Sequence, residues 1–313
     1  MTQAMRITKA SVLAVSVVAV LAIANAGATA RRSASDPSLA RSIEEWFHSS
    51  IASEDATIEI TKAKQLYGEH GLPTIEQVGD LPAYEFVVLL VSSKLPIAFR
   101  SEVLSKVKEA ADHHKLPADA ATFYEARLRL DELKRQAESH ALSNPTLRDE
   151  IERMYKADQA VRQEKGFDVS KMSATDKQHS SALQAILDKY GVPTYSMVGP
   201  KAAAEFIAMI QHQPPAFRQR VLPKLKENVK MGEADPESYA MVYDRSQRDL
   251  KKNQLYGEQL ECDAGQQMHE APIEDEAHVD ERRAELGLIR VELYARIAKE
   301  LMPQFCPPAN PEK

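Results

Sequence analysis

The sequence repeats itself over a long period, and such a repeat restricts the chain to folds that contain two similar units. Residues 71–79 read GLPTIEQVG, and after an apolar run residues 98–109 read AFRSEVLSKVKE. Residues 191–199 read GVPTYSMVG, and after another apolar run residues 216–227 read AFRQRVLPKLKE. The sequence therefore predicts two tandem copies of one supersecondary unit.

Each copy is a control for the other. A residue that both copies keep is a candidate for the scaffold, and a residue that only one copy keeps is a candidate for function. The shared positions include Gly71 and Gly191, Pro73 and Pro193, Gly79 and Gly199, Glu85 and Glu205, and Arg100 and Arg218.

The composition predicts a mostly α-helical fold. The chain has only 11 Gly, and it is rich in Ala, Leu, Glu, Lys, Gln and Arg, which favour helices. The helix-breaking stretch SNPT at residues 143–146 separates a degenerate N-terminal helical repeat, residues 31–142, from a C-terminal helical domain, residues 143–306. Two short extended segments around residues 263–265 predict a small β-hairpin near the C-terminus. Residues 307–313 are expected to form a disordered tail.

The first 30 residues have the pattern of a signal peptide. Arg6 and Lys9 form a basic start, residues 11–24 are apolar, and Ala28-Thr29-Ala30 is typical of a cleavage site. This predicts export, with the protein periplasmic or secreted and without a stable membrane anchor after cleavage. The alternative is an uncleaved N-terminal anchor.

The net charge and the cysteine content further restrict the classes of protein to which the chain can belong. The net charge is −6, and it becomes −8 once the two basic residues of the signal peptide are removed, which argues against nucleic-acid binding. Cys262 and Cys306 are the two cysteines, and in an oxidising compartment such a pair predicts a disulfide. Their separation in sequence leaves open whether their Cα atoms come close enough to be bridged.

Several polar side chains occur in the second copy and not in the first. Asp158, Gln159 and Arg162 align with Ser50, Ile51 and Glu54; Gln211-His212 aligns with Val91-Ser92; and Asp244-Arg245 aligns with Glu125-Ala126. The second copy therefore carries acid, amide and basic groups where the first carries mostly small or apolar ones, and any function is predicted to lie there.

Two of these residues have competing interpretations. Asp158 falls on the apolar stripe of its helix with Arg162 four residues later, so the pair is either the floor of a polar pocket or an exposed ion pair. His212 ends an apolar helix, where the carbonyl groups favour the charged imidazolium. It is either a general base or binding donor, or a capping group.

The second half, from about residue 148 to residue 294, also resembles a bacterial family known as a domain of unknown function. The matching motifs are M-x-x-x-D-Q-x-x-R at 154–162, Y-G-x-P-T at 190–194, V-G at 198–199, Q-H at 211–212, D-R at 244–245, Q-x-Y-G-x-Q at 254–259, P-I-x-D at 272–275 and R-R-x-x-x-G-L at 282–288. The chain departs from the family pattern at Glu258, where the family often has Thr, and at His179, near where Asn is expected.

The resemblance implies an α-rich domain whose polar motifs converge in space, and it supplies no established reaction. It favours one shared ligand pocket, although the same residues could form a buried structural network. We call these residues the polar set: Asp158, Gln159, Arg162, Gln211, His212, Asp244, Arg245, Gln254, Tyr256 and Gln259.

Three functional hypotheses follow from the polar set. The first is a non-catalytic binding module for a small molecule or a periplasmic protein. The second is a hydrolase in which His212 is the acid or base, Asp158 assists it, and Arg162 or Arg245 holds an anionic group. The third is a purely structural network. No cofactor is predicted, and no metal site, because the acidic and histidine residues match no zinc spacing.

Overall fold

Helix-forming residues fill the stretches between the Gly, Pro and Ser breaks, and a computed structural model of the chain is built almost entirely from α-helices. It describes residues 34–52, 56–162, 169–263, 265, 267–302 and 306. The predicted signal peptide, residues 1–30, and the predicted tail, residues 307–313, lie outside the described residues. The described part contains fourteen α-helices and one antiparallel two-stranded hairpin, which confirms the predicted class and the hairpin.

The N-terminal half contains six helices. They are α1 (Pro37–Ala52), α2 (Ala56–His70), α3 (Ile75–Val78), α4 (Asp80–Leu90), α5 (Ile97–Asp112) and α6 (Ala120–Ser139).

The following half has six helices in the same order of long and short elements. They are α7 (Pro145–Arg162), α8 (Val169–Tyr190), α9 (Tyr195–Val198), α10 (Pro200–Gln211), α11 (Pro215–Lys230) and α12 (Pro236–Asp249). A common origin of the two halves as copies of one unit stays a prediction.

The chain then leaves the repeated pattern. Strand β1 (Leu260–Cys262) pairs with β2 (Met268–Glu270), and the last two helices are α13 (Val279–Glu285) and α14 (Val291–Leu301). Cys262 and Cys306 form a disulfide with a Cα–Cα distance of 5.7 Å, which confirms the predicted bridge. Among the described residues, no helix is both long and apolar enough to cross a membrane.

The repeated motif P-T-x-x-x-V-G has the same local structure in both halves. Thr74 and Thr194 each accept a hydrogen bond from the backbone N–H three residues later, which caps the short helices α3 and α9. Gly79 (φ 92°) and Gly199 (φ 85°) end these helices in a backbone region that favours glycine. The shared letters therefore encode a shared turn, as the scaffold interpretation predicts.

An arginine at the start of α5 and another at the start of α11 make matching contacts. Arg100 pairs with Asp131 of α6, and Arg218 pairs with Asp249 of α12 through an Nη2–Oδ2 distance of 2.7 Å. All four side chains are largely buried. These two ion pairs fix which residues of α6 and α12 correspond.

This correspondence corrects the sequence alignment by one residue. Counting back from Asp131 and Asp249 places Asp244 opposite Ala126, and Arg245 opposite Arg127. The alignment that paired Asp244-Arg245 with Glu125-Ala126 is therefore wrong. As a result, Arg245 does have a counterpart in the N-terminal half, whereas the carboxylate of Asp244 does not.

The end of the chain returns to the N-terminal half. Ala284 of α13 and Leu293 of α14 belong to the same apolar core as Trp46 and Phe86, which lie in α1 and α4. A separate apolar core lies between the six helices α7 to α12. The predicted division into residues 31–142 and 143–306 stays a prediction.

Two arginines hold this returning segment in place. Arg290 donates from Nε to Asp119 Oδ2 at 2.8 Å and also binds the other oxygen of the same carboxylate. Arg296 binds Glu85, whose side chain is fully buried. The two-point pairing of Arg290 with the carboxylate of Asp119 fixes the geometry of the pair as well as contributing energy.

Candidate functional site

Asp158 is a buried carboxylate on the apolar side of α7. It lies two turns beyond Ile151, which is fully buried, and its own side chain is only 2% exposed. The i, i+3, i+4 stripe of α7 therefore carries an ionised group into the protein, where it must be paired. The alternative of an exposed ion pair is wrong for Asp158.

Arg162, one turn later, compensates this charge. Its Nε lies 3.0 Å from Asp158 Oδ2 and its Nη2 lies 2.8 Å from Oδ1, and Gln159 Nε2 also donates to Oδ2 at 2.9 Å. Burial acts to raise the pKa of Asp158, but the hydrogen bonds and charge of Arg162 outweigh it and hold that pKa below its usual value. Asp158 is therefore an anion that fixes the guanidinium.

Asp176 and Gln213 complete the surroundings of the Asp158–Arg162 pair. The sequence offered no reason to single out either residue. Asp176 of α8 forms an ion pair with Arg162, so this guanidinium bridges two carboxylates. Gln213 is buried, and its Nε2 donates to the backbone carbonyl of Asp176 at 3.1 Å. Neither residue belongs to the motifs above, and only the packing of α8 against α7 reveals them.

His212 is the first residue after α10, and its side chain faces the pair of Asp158 and Arg162. Its Nε2 is 4.0 Å from Asp158 Oδ2, which is beyond hydrogen-bond distance, and its side chain is 27% exposed. Burial lowers the pKa of His212, and the charge of Arg162 lowers it further against the opposing effect of Asp158. The lowered pKa favours the neutral imidazole, so burial and Arg162 act against the preference for the imidazolium that a helix end gives.

Arg245 of α12 is the remaining cation at this place. It is exposed, and it makes no hydrogen bond or ion pair with any residue in the described part of the chain. Although it is exposed, enough protein surrounds Arg245 that desolvation lowers its pKa, and the charges of Arg218 and Arg162 lower it further against the opposing charge of Asp249. Arg162 and Arg218 each form ion pairs with carboxylates, whereas Arg245 has no carboxylate within ion-pair distance among the described residues.

These contacts define what we call the Arg–His cluster. Arg162 is paired with Asp158 and Asp176, and His212 lies 4.0 Å from Asp158. Arg245 acts on His212 through its charge. The cluster consists of Asp158, Arg162, Asp176, His212 and Arg245.

Asp244, although next to Arg245 in sequence, belongs to a different network. Its side chain is fully buried, and its two oxygens accept hydrogen bonds from the backbone N–H groups of Leu255, Tyr256 and Glu258 at 2.7–3.1 Å. The carboxylate thus holds the loop after α12 by its main chain. These bonds occupy both of its oxygens.

Gln254 and Gln259 extend this second network. The Nε2 of Gln254 donates to the carbonyls of Gln259 and Ala271 at 3.0 Å and 2.7 Å, and its Oε1 accepts the N–H of Gln259 at 2.8 Å. Gln254 is fully buried and every one of these partners is backbone. The motif Q-x-Y-G-x-Q therefore shapes the loop at residues 254–259.

The ring of Tyr256 packs against two tyrosines of α12. It lies 6.1 Å from the ring of Tyr239 and 5.8 Å from that of Tyr243, both on α12, in edge-on arrangements typical of aromatic pairs. Tyr256 therefore anchors the loop to α12.

Gln211 lies between residues of the two networks in the sequence. Its side chain is buried, and it takes part in neither network. Its carbonyl accepts a hydrogen bond from Arg218 at 3.0 Å, whereas its side-chain amide has no hydrogen-bond partner among the described residues. The structure thus brings together Asp158, Gln159, Arg162, His212 and Arg245, and separates them from Asp244, Gln254, Tyr256 and Gln259. We also note that the described residues contain no group of three or more His, Cys, Asp or Glu side chains placed to hold a metal ion.

Comparison with known proteins identifies the segment that carries both networks. A model of a family of unknown function, DUF6624, matches residues 145–302. The chain belongs to this family. The DUF6624 match begins with α7 and ends just after α14, so it includes the Arg–His cluster and the loop at residues 254–259. No curated protein and no solved structure matches the chain.

The DUF6624 segment confirms the resemblance seen in the second half of the sequence. It includes α13 and α14, which pack on the N-terminal half, so the family unit is larger than the six helices α7 to α12. A ligand-binding role for the polar set stays a prediction.

Proposed function

We propose that this protein is a binding module whose Arg–His cluster takes an anionic group, a carboxylate or a phosphate, of a small molecule. The observation that carries the proposal is the exposed guanidinium of Arg245, which has no carboxylate partner among the described residues. An anion at Arg245 would pair with this guanidinium and offset the desolvation that now lowers its pKa.

The rest of the cluster supports the same chemistry. Arg162 is held by two points on Asp158 and by Asp176, so its position costs little side-chain entropy when a ligand binds. His212, neutral and partly exposed beside it, can donate a hydrogen bond or take up a proton as an anion approaches.

We expect that replacing Arg245 with alanine weakens anion binding at least about tenfold, because a hydrogen bond to a charged group contributes about 1.5–3 kcal/mol. Calorimetric titration with sulfate and with acetate in a low-salt buffer at pH 7 measures this. Sulfate tests tetrahedral anions and acetate tests planar ones.

The matched control for this titration is Arg148→Ala. Arg148 is a half-exposed arginine at the start of α7, paired with its neighbour Asp149 at 2.6 Å, and its loss should leave binding unchanged. Equal weakening by both substitutions would mean that net charge, and not this cluster, attracts the anion.

A hydrolase is the second candidate, and the position of His212 favours it. A neutral imidazole 4.0 Å from a carboxylate is close to the geometry of a general base with its orienting acid. Against it, Asp158 already accepts three hydrogen bonds, from Gln159 and Arg162. Hydrolysis of 4-nitrophenyl acetate or phosphate that disappears in His212→Ala would favour the enzyme over the binding module.

We also propose that the protein is exported to the periplasm or secreted. The signal-like residues 1–30 support this, and the disulfide is compatible with an oxidising compartment. The mass of the mature protein tests it: a chain that begins at Arg31 agrees with export and cleavage, whereas an intact chain from Met1 does not.

A further inference from the structure

A cavity of about 390 Å³ lies between the N-terminal half and the segment that follows the loop at residues 254–259. Phe47 of α1, Val88 of α4 and Phe123 of α6 form one wall, and Leu288 and Ile297 from the end of the chain form the other. Its size is within the range of sites for small organic molecules. We call it the N-half cavity.

The N-half cavity occupies the place in the N-terminal half that the Arg–His cluster occupies in the other half. By the alignment of the two halves, three residues that line it correspond to members of that cluster. They are Ser50, Ser92 and Arg127, which correspond to Asp158, His212 and Arg245. Here, however, the wall is mainly apolar, and the end of the chain covers it.

Glu237, in the first turn of α12, lines this cavity with an exposed side chain. It makes no hydrogen bond or ion pair with any residue that the structure describes. Enough protein surrounds it that burial raises the pKa of Glu237, as does the nearby charge of Asp235, while the charge of Arg127 in the same lining opposes the rise. The carboxylate therefore feels a cation at a distance but accepts no hydrogen bond from the described residues.

Glu258 contributes a second acceptor to the same wall. Its side chain is 1% exposed, its Oε1 accepts from Arg283 at 2.8 Å, and its Oε2 has no hydrogen-bond partner within the described ranges. The neighbouring donors are already used, because Arg283 also binds the carbonyls of Tyr256 and Ile289. Among the described residues, Glu237 and the Oε2 atom of Glu258 thus have no hydrogen-bond donor, although Arg127 and Arg283 line the same cavity.

We propose that the N-half cavity binds a small organic cation, a primary amine with an apolar body of about six carbons, whose ammonium group binds Glu237 beside Glu258. The apolar body would lie against Phe47, Val88 and Leu288. Burying the alkyl chain supplies most of the affinity, and the carboxylates select the charge. This site is independent of the anion site proposed above.

The test compares three probes of one length on the mature full-length protein at pH 7: n-hexylamine, n-hexanol and hexanoate. Calorimetry should show hexylamine binding at least about tenfold more tightly than hexanol, with hexanoate the weakest. Hexanoate binding as tightly as hexylamine would overturn the assignment of the carboxylates. Absence of binding by all three would overturn the site.

The single tryptophan reports where the probe binds. Trp46 donates from Nε1 to Glu59 Oε2 at 2.8 Å, and Glu59 lines the cavity. Hexylamine in the cavity should therefore shift the emission of Trp46, and Val88→Phe, which fills the cavity, should abolish both the shift and the binding. Binding that survives Val88→Phe would place the probe elsewhere.

A pair of carboxylate variants tests the charge selection. Glu237→Gln should weaken hexylamine about tenfold and leave hexanol unchanged, whereas Glu125→Gln, at an exposed carboxylate of α6 outside the cavity, should change neither. Thermal melting confirms that each variant is folded. Unchanged hexylamine affinity in folded Glu237→Gln would overturn the proposal.

Discussion

Replacing Arg283 with alanine is expected to lower the free energy of unfolding by about 3–5 kcal/mol, because it leaves the carboxylate of Glu258 buried without its cation. Both side chains are 1% exposed, and Nη1 of Arg283 lies 2.8 Å from Glu258 Oε1. Arg283 also donates to the carbonyls of Tyr256 and Ile289, so three acceptors lose their donor at once. Urea unfolding followed by circular dichroism measures the loss.

The loss of stability caused by Arg283→Ala should also grow with pH. Burial raises the pKa of Glu258 to about 7, and the charge of Arg283 opposes this rise. The folded protein keeps the proton of Glu258 up to about pH 7 while the unfolded chain releases it near pH 4.5, so stability falls over this range with or without Arg283. Without Arg283 the fall continues above pH 7, so the loss caused by the substitution grows there.

Two further variants separate this account from a simple loss of packing. The double variant Arg283→Ala/Glu258→Gln should recover part of the stability and lose the pH dependence, because no buried carboxylate remains. Arg220→Ala, at an exposed pair with Asp188, should cost at most about 1 kcal/mol. A loss in Arg283→Ala that is independent of pH would contradict the role given to Glu258.

Replacing Asp244 with asparagine is expected to cost about 2–4 kcal/mol, because the new amide must turn one N–H₂ group towards backbone donors. Asp244 now accepts from the N–H groups of Leu255, Tyr256 and Glu258. The isosteric change keeps the volume of the side chain, so packing does not explain the loss. Urea unfolding gives the free energy, and hydrogen exchange of these three amides locates the effect.

Asp188→Asn is the matched control for Asp244→Asn. Asp188 has a 59% exposed side chain and a surface ion pair, so its amide should change stability by at most about 1 kcal/mol. If Asp244→Asn is equally mild, and the three amides exchange as slowly as before, the carboxylate does not hold the loop.

Local signals in the sequence predicted the helical class and the hairpin near the C-terminus. The two Thr caps and the glycines that end α3 and α9 act within a few residues, so their letters are sufficient to place them. The disulfide between Cys262 and Cys306 was predicted from the cysteine count together with the predicted export. The family resemblance located the polar motifs.

Contacts between distant elements were not predictable in the same way. Asp158 and Asp244 are both acidic residues of polar motifs, and only their partners, a guanidinium in one case and backbone amides in the other, distinguish a site from a structural anchor. The ion pair between Arg162 and Asp176 joins two helices, and no sequence motif marks it.

The one-residue error in the alignment also arises from distant contacts. The connection between Val91 and Arg100 is two residues longer than the one between Gln211 and Arg218. Because α6 and α12 have few identical residues, their sequences do not show how the two helices should be aligned after this difference in length. The buried pairs of Arg100 and Arg218 with their aspartates fix that register, and sequence spacing alone does not.

Anion binding beside His212 and Arg245 should change the pKa of His212, which NMR can measure. The resonance can be assigned among the nine histidines with His212→Asn, and sulfate keeps its charge from pH 5 to 8. Without sulfate we predict a pKa below the usual 6.5. Saturating sulfate should raise it, because a bound anion favours the imidazolium, and Arg245→Gln should remove the rise. A pKa that sulfate leaves unchanged, or raises equally in Arg245→Gln, would contradict the proposed site.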